Sequence, residues 1–151
     1  MYTLINLCQQ PQWIKKSAQW FHSKWGIPLE AYLESMNDAL TADDGVPAWY
    51  IILNEQEDII AGLGVIENDF HKRKDLAPNI CAVYVEEAYR RQGIARMLLD
   101  HAAAELAQHN IDMVYLITGH TNFYEHCGFT FYGMIEEDDS NMIRMYQRST
   151  R

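Results

Sequence analysis

The sequence predicts a mixed α/β fold, with one mostly antiparallel sheet of about seven strands and helices on both faces. Three observations predict it. Helical spacing of apolar residues alternates with short β-branched and aromatic runs. A hairpin over residues 48–66 and two late paired runs exclude a wholly parallel sheet. A strand, helix and strand succession over residues 80–118 demands one parallel pair. The expected order is β-α-α-β-β-β-α-β-α-β-β.

Tyr2, Leu4 and Asn6 alternate with Thr3, Ile5 and Leu7, an opening strand that Gln9, Gln10 and Pro11 end. Ile14, Ala18, Phe21 and Trp25 then fall at i, i+4, i+7 and i+11, one face of a helix stopped by Gly26 and Pro28. Leu29, Leu33, Met36 and Leu40 repeat that spacing for a second helix, with Pro28 suited to its first turn and residues 41–45 left as a loop. AWYIIL (48–53) and IIAGLGVI (59–66) flank the polar NEQED, which predicts two antiparallel strands. After the loop HKRKDLAPN comes a further strand, ICAVYV (80–85). Ile94, Leu98, Ala102 and Leu106 share a helical face, and Asn110 suits a left-handed cap. MVYLIT (113–118) is the next strand, followed by a short helical turn at 122–127 and strands near 129–134 and 142–147, with EEDDSN between.

At 151 residues and 48% hydrophobic content, the chain suits a single domain over residues 1–151, burying about two-thirds of its unfolded surface. The longest apolar run, Ala48–Leu53, has six residues, far below the roughly 18 of a membrane helix, so no membrane partner is expected. MYTLINLCQQ lacks the basic, apolar and small-residue pattern of an export signal. Cys8, Cys81 and Cys127 are an odd number without CxxC spacing, which implies neither a disulfide framework nor a zinc site. Reduced thiols and a cytoplasmic location are expected. With 12 basic and 21 acidic side chains the net charge is -9, which repels a nucleic-acid backbone and weakly favours cationic small molecules.

The segment RRQGIA, residues 90–95, concentrates positive charge and a glycine between a strand and the start of a helix. Unpaired amides and the helix dipole favour an anion there. Gly93 lets a phosphate approach the backbone, Arg90 and Arg91 can add charge-assisted hydrogen bonds, and Ala95 keeps the first turn slim. A solvated basic helix start would look the same at this length. Neither GK[ST] nor GxGxxG occurs, so a Walker or Rossmann mode of phosphate binding is not indicated.

Residues 90–95 match the Gln/Arg-x-x-Gly-x-Gly/Ala pyrophosphate loop, and the chain thereby resembles the GNAT family of N-acetyltransferases. The strand AVYV precedes the loop and a helix follows it. FYEHCGF, 123–129, is similar to that family's later FYxxxGF segment. The resemblance implies acetyl-CoA as co-substrate, its diphosphate on Arg90, Arg91, Gln92, Gly93, Ile94 and Ala95. It also implies a pantetheine arm between splayed parallel strands 80–85 and 113–118, pairing with backbone around Val83, Tyr84 and Val85. An amide near Val83 would polarise the thioester carbonyl. Tyr124 would protonate the departing thiolate, and a homodimer is consistent with the family.

The base does not carry over from the family. Some members place a glutamate on the central strand, whereas NICAVYV (79–85) has no carboxylate. Glu67 and Asp69 could act through water, and His120, just after residues 113–118, belongs to the residue type that titrates near neutrality. His120 is the expected base and no metal is expected. Glu30, Glu34 and Asp38 form a stripe that could attract a cationic amine, although a solvated face explains the same spacing. Trp13, Trp20, Trp25, Trp49 and Tyr50 could wall an acceptor pocket or fill the core, and the basic loop at 71–74 could touch the cofactor's outer phosphate or simply face water. The expected activity is acetyl transfer to a small primary amine. The alternatives are a noncatalytic acyl-CoA sensor and a protein N-terminal or lysine acetyltransferase.

Overall fold

The structure, a computed structural model, describes residues 1–151. Seven strands form one sheet in the order β1-β2-β3-β4-β5-β7-β6: β1 Thr3–Asn6, β2 Ala48–Leu53, β3 Ile59–Ile66, β4 Asn79–Val85, β5 Met113–Thr118, β6 Thr130–Glu136 and β7 Met142–Ser149. Three helices, α1 Ile14–Lys24, α2 Leu29–Asp38 and α3 Ile94–Gln108, alternate with the strands as the sequence predicts. The sheet is mostly antiparallel, and β4 and β5 are its parallel pair, in register at Asn79 and Tyr115. No helix is long and apolar enough to cross a membrane.

The chain forms two compact units, Met1–Gly64 with Ala82–Leu98 and Val65–Cys81 with Leu99–Arg151. In the first, β1 pairs antiparallel with β2 and every residue of β2 is buried. A strand covered on both faces needs no alternation, which is why AWYIIL is apolar throughout. Phe21, Tyr32 and Trp49 pack with ring centroids 5.1–5.8 Å apart, and the Trp49 indole N–H donates to Ser35 Oγ. Gly64 is a close-approach position: a β-carbon there would lie 2.5 Å from the Trp49 ring.

Two helical faces differ from the expected ones. In α1, Ser17 joins Ile14, Ala18 and Phe21 in the buried set, while Trp25 leaves the helix in an extended conformation with 40% of its surface exposed. In α2, Tyr32 and Met36 are buried, whereas Leu29 and Leu33 are only half-buried and Leu40 is exposed in the following 3-10 turn. The face is rotated because the large Tyr32 ring, which period counting over aliphatic residues passes by, claims the inner position.

In the second unit β5 and β7 pair antiparallel over the length of β5, and β6 pairs with β7 across an irregularity at Phe131 and Gly133. Leu76, Ile135 and Met145 form a small buried cluster with Tyr115, Ile117 and Ile143 packed against it. The loop before β4 is pinned by polar groups. His71, fully buried, bonds through Nε2 to Asn79 Oδ1 at 2.8 Å, and its Nδ1 accepts the Arg73 N–H, which assigns the ring proton to Nε2. Asn79 in turn donates to the Glu67 and Leu76 carbonyls.

Within β4, Ala82 adopts φ +55, a left-handed conformation that a residue with a β-carbon rarely takes inside a strand. Such an interruption re-aims the residues after it. Ala82→Val, whose branched side chain tolerates that region worse, is expected to cost roughly 1–3 kcal/mol, read as a fall of several degrees in the thermal unfolding midpoint. Ala82→Gly is expected to leave the midpoint unchanged or raise it. Equal midpoints for the Val and Gly variants would show that the backbone there is unstrained.

Candidate active site

The turn from β4 into α3 is built from backbone. A 3-10 turn at Glu87–Tyr89 leads into Arg90 in an extended conformation, then Arg91 at φ +65 and Gly93 at φ +79. The Met97 N–H donates to the Gly93 carbonyl at 3.0 Å, so the helix begins here and its first amides have no acceptor within the helix. A β-carbon on Gly93 would meet no atom within 4 Å. The glycine is therefore demanded by its dihedral angle, and the space before it is open. Arg90, Arg91, Gln92 and Gly93 are all exposed, whereas the Ile94 side chain is buried and only its main chain can serve a ligand. Open backbone, positive dipole and arginines together fit a diphosphate.

Long-range contacts hold this turn. Arg90 Nε donates to the Val85 carbonyl at 2.8 Å, and its guanidinium lies 5.4 Å from the Tyr84 ring centroid. Tyr2 donates its hydroxyl to Gln92 Oε1 at 2.7 Å and packs edge-on against Tyr89. The Tyr89 hydroxyl accepts from Asn54, whose side-chain oxygen also caps the turn between β2 and β3 by accepting the Gln56 and Asp58 N–H groups. Nothing near residue 90 in the sequence announces Tyr2 or Asn54, because both act across the sheet. Val83, Tyr84 and Val85 are half-buried.

The second unit carries Tyr124. It starts a 3-10 turn, Tyr124–Cys127, closed by Gly128 at φ +85, and the Phe129 N–H donates to the Tyr124 carbonyl. Arg148 clamps that turn: Nη1 donates to Asp100 at 2.7 Å and to the Cys127 carbonyl at 3.1 Å. The Tyr146 hydroxyl donates to Glu125 at 2.9 Å. Tyr124 is 8% exposed, and burial, with a smaller contribution from nearby Cys127, raises its pKa well above the ordinary phenol range. Its phenol is held in the protonated form.

His120 is exposed, and its N–H donates to Thr118 Oγ1. Glu67 is also exposed. Asp69 differs: burial first, then the neighbouring Glu137 charge, push its pKa up to about 6. Burial and pairing sort the surrounding residues between the alternatives that the sequence leaves open. The basic loop at 71–74 has no outer-phosphate role to offer through His71, which is buried in its bonds to Asn79, while Lys72 pairs with Glu136 and Arg73 with Asp75. Glu30, Glu34 and Asp38 are exposed, as a solvated face requires. Trp49 and Tyr50 are core residues, whereas Trp25 is not.

A model of the acetyltransferase (GNAT) family matches residues 13–129. No curated protein matches the chain. Among solved structures, the chain is similar to an acetyltransferase of the GNAT family from Staphylococcus aureus, 20% identical, with each chain covered in full and a TM-score of 0.64. It is also similar to a spermidine N-acetyltransferase from Vibrio cholerae, 16% identical over 99% of this chain and 94% of that one, with a TM-score of 0.69.

The environment of Asp69 has a consequence for stability. With a folded pKa of about 6 against 3.8 for the free group, both states are protonated below about pH 4. As pH rises the unfolded chain ionises first, so stability falls through this window and the full penalty is present above pH 6. Asp69→Asn removes the penalty. Its thermal midpoint is expected to exceed that of the parent at pH 7.5 and to converge with it at pH 4. A gap that is constant across pH would show that Asp69 ionises normally.

Proposed function

The chain belongs to the GNAT acetyltransferase family, and from that premise we propose that it transfers an acetyl group from acetyl-CoA to a primary amine of a small molecule by direct attack. The observation that carries the proposal is the exposed turn at Arg90–Gly93, with its two left-handed residues and unpaired helix amides. Its residues would hold the diphosphate through main-chain N–H groups and the two arginines. Backbone at Val83 and Val85 would take the pantetheine amides, and an amide near Val83 would polarise the carbonyl. When bound, acetyl-CoA supplies the thioester carbonyl that the amine attacks.

The reaction needs two proton movements. The amine must lose a proton before it can attack, and the departing sulfur must be stabilised as the C–S bond breaks. Tyr124, protonated by virtue of its burial, donates to that sulfur. His120 is the proposed base, and Asp69, poised near neutrality, is the alternative acting through water. A raised carboxylate pKa suits a base because the group then binds the proton it removes without remaining protonated at pH 7. A tyrosine at position 124, where the family's acid stands, favours an enzyme over a noncatalytic sensor, which needs the diphosphate turn but no acid.

The test is thiol release from acetyl-CoA across a panel of amines. Tyr124→Phe is expected to lower kcat by roughly 100-fold or more while leaving cofactor affinity in place. Heat of acetyl-CoA binding without turnover on any amine would establish the sensor instead. Gly93→Ala is expected to weaken acetyl-CoA binding by about tenfold or more, since a β-carbon strains φ +79 and occupies the approach to the amides. Retained affinity would remove the donor site from this turn. Loss of the acid limb of the pH-rate profile in His120→Gln, but not in Asp69→Asn, identifies His120 as the base; the reverse assigns it to Asp69.

A further inference from the structure

Three aromatic rings meet where α1 ends and β4 runs toward the diphosphate turn. Trp20 and Trp25 each face Tyr84 edge-on, with centroids 5.8 and 6.2 Å from it. The Lys24 ammonium lies over two of them, Trp20 and Tyr84. Its Nζ is 5.4 Å from the Trp20 centroid and 5.1 Å from the Tyr84 centroid, and it donates to both Glu86 oxygens at 2.7 and 2.9 Å. Two π faces and a carboxylate converging on one cation constitute the chemistry that recognises alkylammonium ions. The Trp25 indole, edge-on to Tyr84, is 40% exposed, and the Trp20 indole N–H is buried without an acceptor.

We infer that Trp20, Tyr84 and Glu86 form an ammonium subsite for the acceptor, which Lys24 fills in the free protein. The assignment to the acceptor rests on the transferase reading, whereas the cage itself does not. Lys24 ends a flexible stem, so its ammonium can swing to solvent when a ligand cation takes its place beside Glu86. A cage of this kind holds its guest charged, while the attacking nitrogen must be neutral. The acceptor class is therefore an amine with a second cationic nitrogen: one is caged, the other is acetylated. Glu86 and Tyr84 sit immediately before the diphosphate turn, and the Glu86 N–H donates to the Ile60 carbonyl at 2.8 Å, which fixes the carboxylate's backbone.

Two measurements test this. Tetramethylammonium chloride, titrated against tryptophan fluorescence, is expected to saturate Lys24→Met about tenfold more tightly than the parent, and Lys24→Met with Glu86→Gln is expected to lose that gain. Separately, the parent is expected to acetylate 1,4-diaminobutane with a kcat/KM about tenfold above that of n-pentylamine, in which a methyl group replaces the second ammonium. Glu86→Gln, which keeps the shape of the side chain, is expected to abolish that preference through the KM of the diamine. No saturable fluorescence change in Lys24→Met overturns the cage whatever the turnover. A diamine preference that survives Glu86→Gln overturns its role in acceptor binding. Saturation by tetramethylammonium with no acetylation of the diamine supports the cage and overturns the diamine assignment of the acceptor.

Discussion

The backbone reversal between β4 and α3 is the constraint on which the proposed chemistry depends. Arg91 and Gly93 both take positive φ, and the helix that follows starts with amides that no carbonyl of the helix satisfies. In water such amides are solvated at little cost. Against a diphosphate they become aligned, charge-complementary donors, and no side chain has to be ordered to present them. The surrounding contacts serve that alignment. Tyr2 and Tyr89 tether the turn to the first strand and to the hairpin that Asn54 caps, so the loop is held at both ends although its own residues are exposed.

Proton chemistry in the second unit is set by burial. Tyr124 and Asp69 are both raised by desolvation, with opposite chemical consequences. An acid group with a raised pKa stays neutral: for the phenol this preserves a donor, and for the carboxyl it brings ionisation within reach of neutral pH. Two unlike clamps keep these groups in place. The Arg148–Asp100 pair bonds the turn that carries Tyr124, while the neutral His71–Asn79 pair fixes the loop that carries Asp69. A histidine used in this way is a structural hydrogen-bonding residue.

The aromatic residues divide between two tasks. Phe21, Tyr32 and Trp49 fill the interior of the first unit, where Gly64 leaves room for the indole. Trp20 and Tyr84, equally apolar in composition, flank a cation instead. The distinction lies in Lys24 and Glu86, which are 62 residues apart and meet only because α1 lies beside the end of β4.

The strand and helix succession was readable from the sequence because burial periodicity is a local property: Ala48–Leu53, Ile59–Ile66 and Met113–Thr118 run as their apolar content requires. The turns at Gly93 and Gly128 were readable too, since each is a short contiguous pattern whose glycine follows from backbone geometry. Tertiary structure alone decided which side of α2 is buried, that Trp25 is exposed, that His71 is a core residue, and that burial raises the Asp69 pKa. It alone brought Tyr2 to Gln92 and Lys24 to Glu86. The physical reason is common to all of these: desolvation and side-chain pairing depend on which distant segments the sheet places side by side, and that information is absent from any local window of the chain.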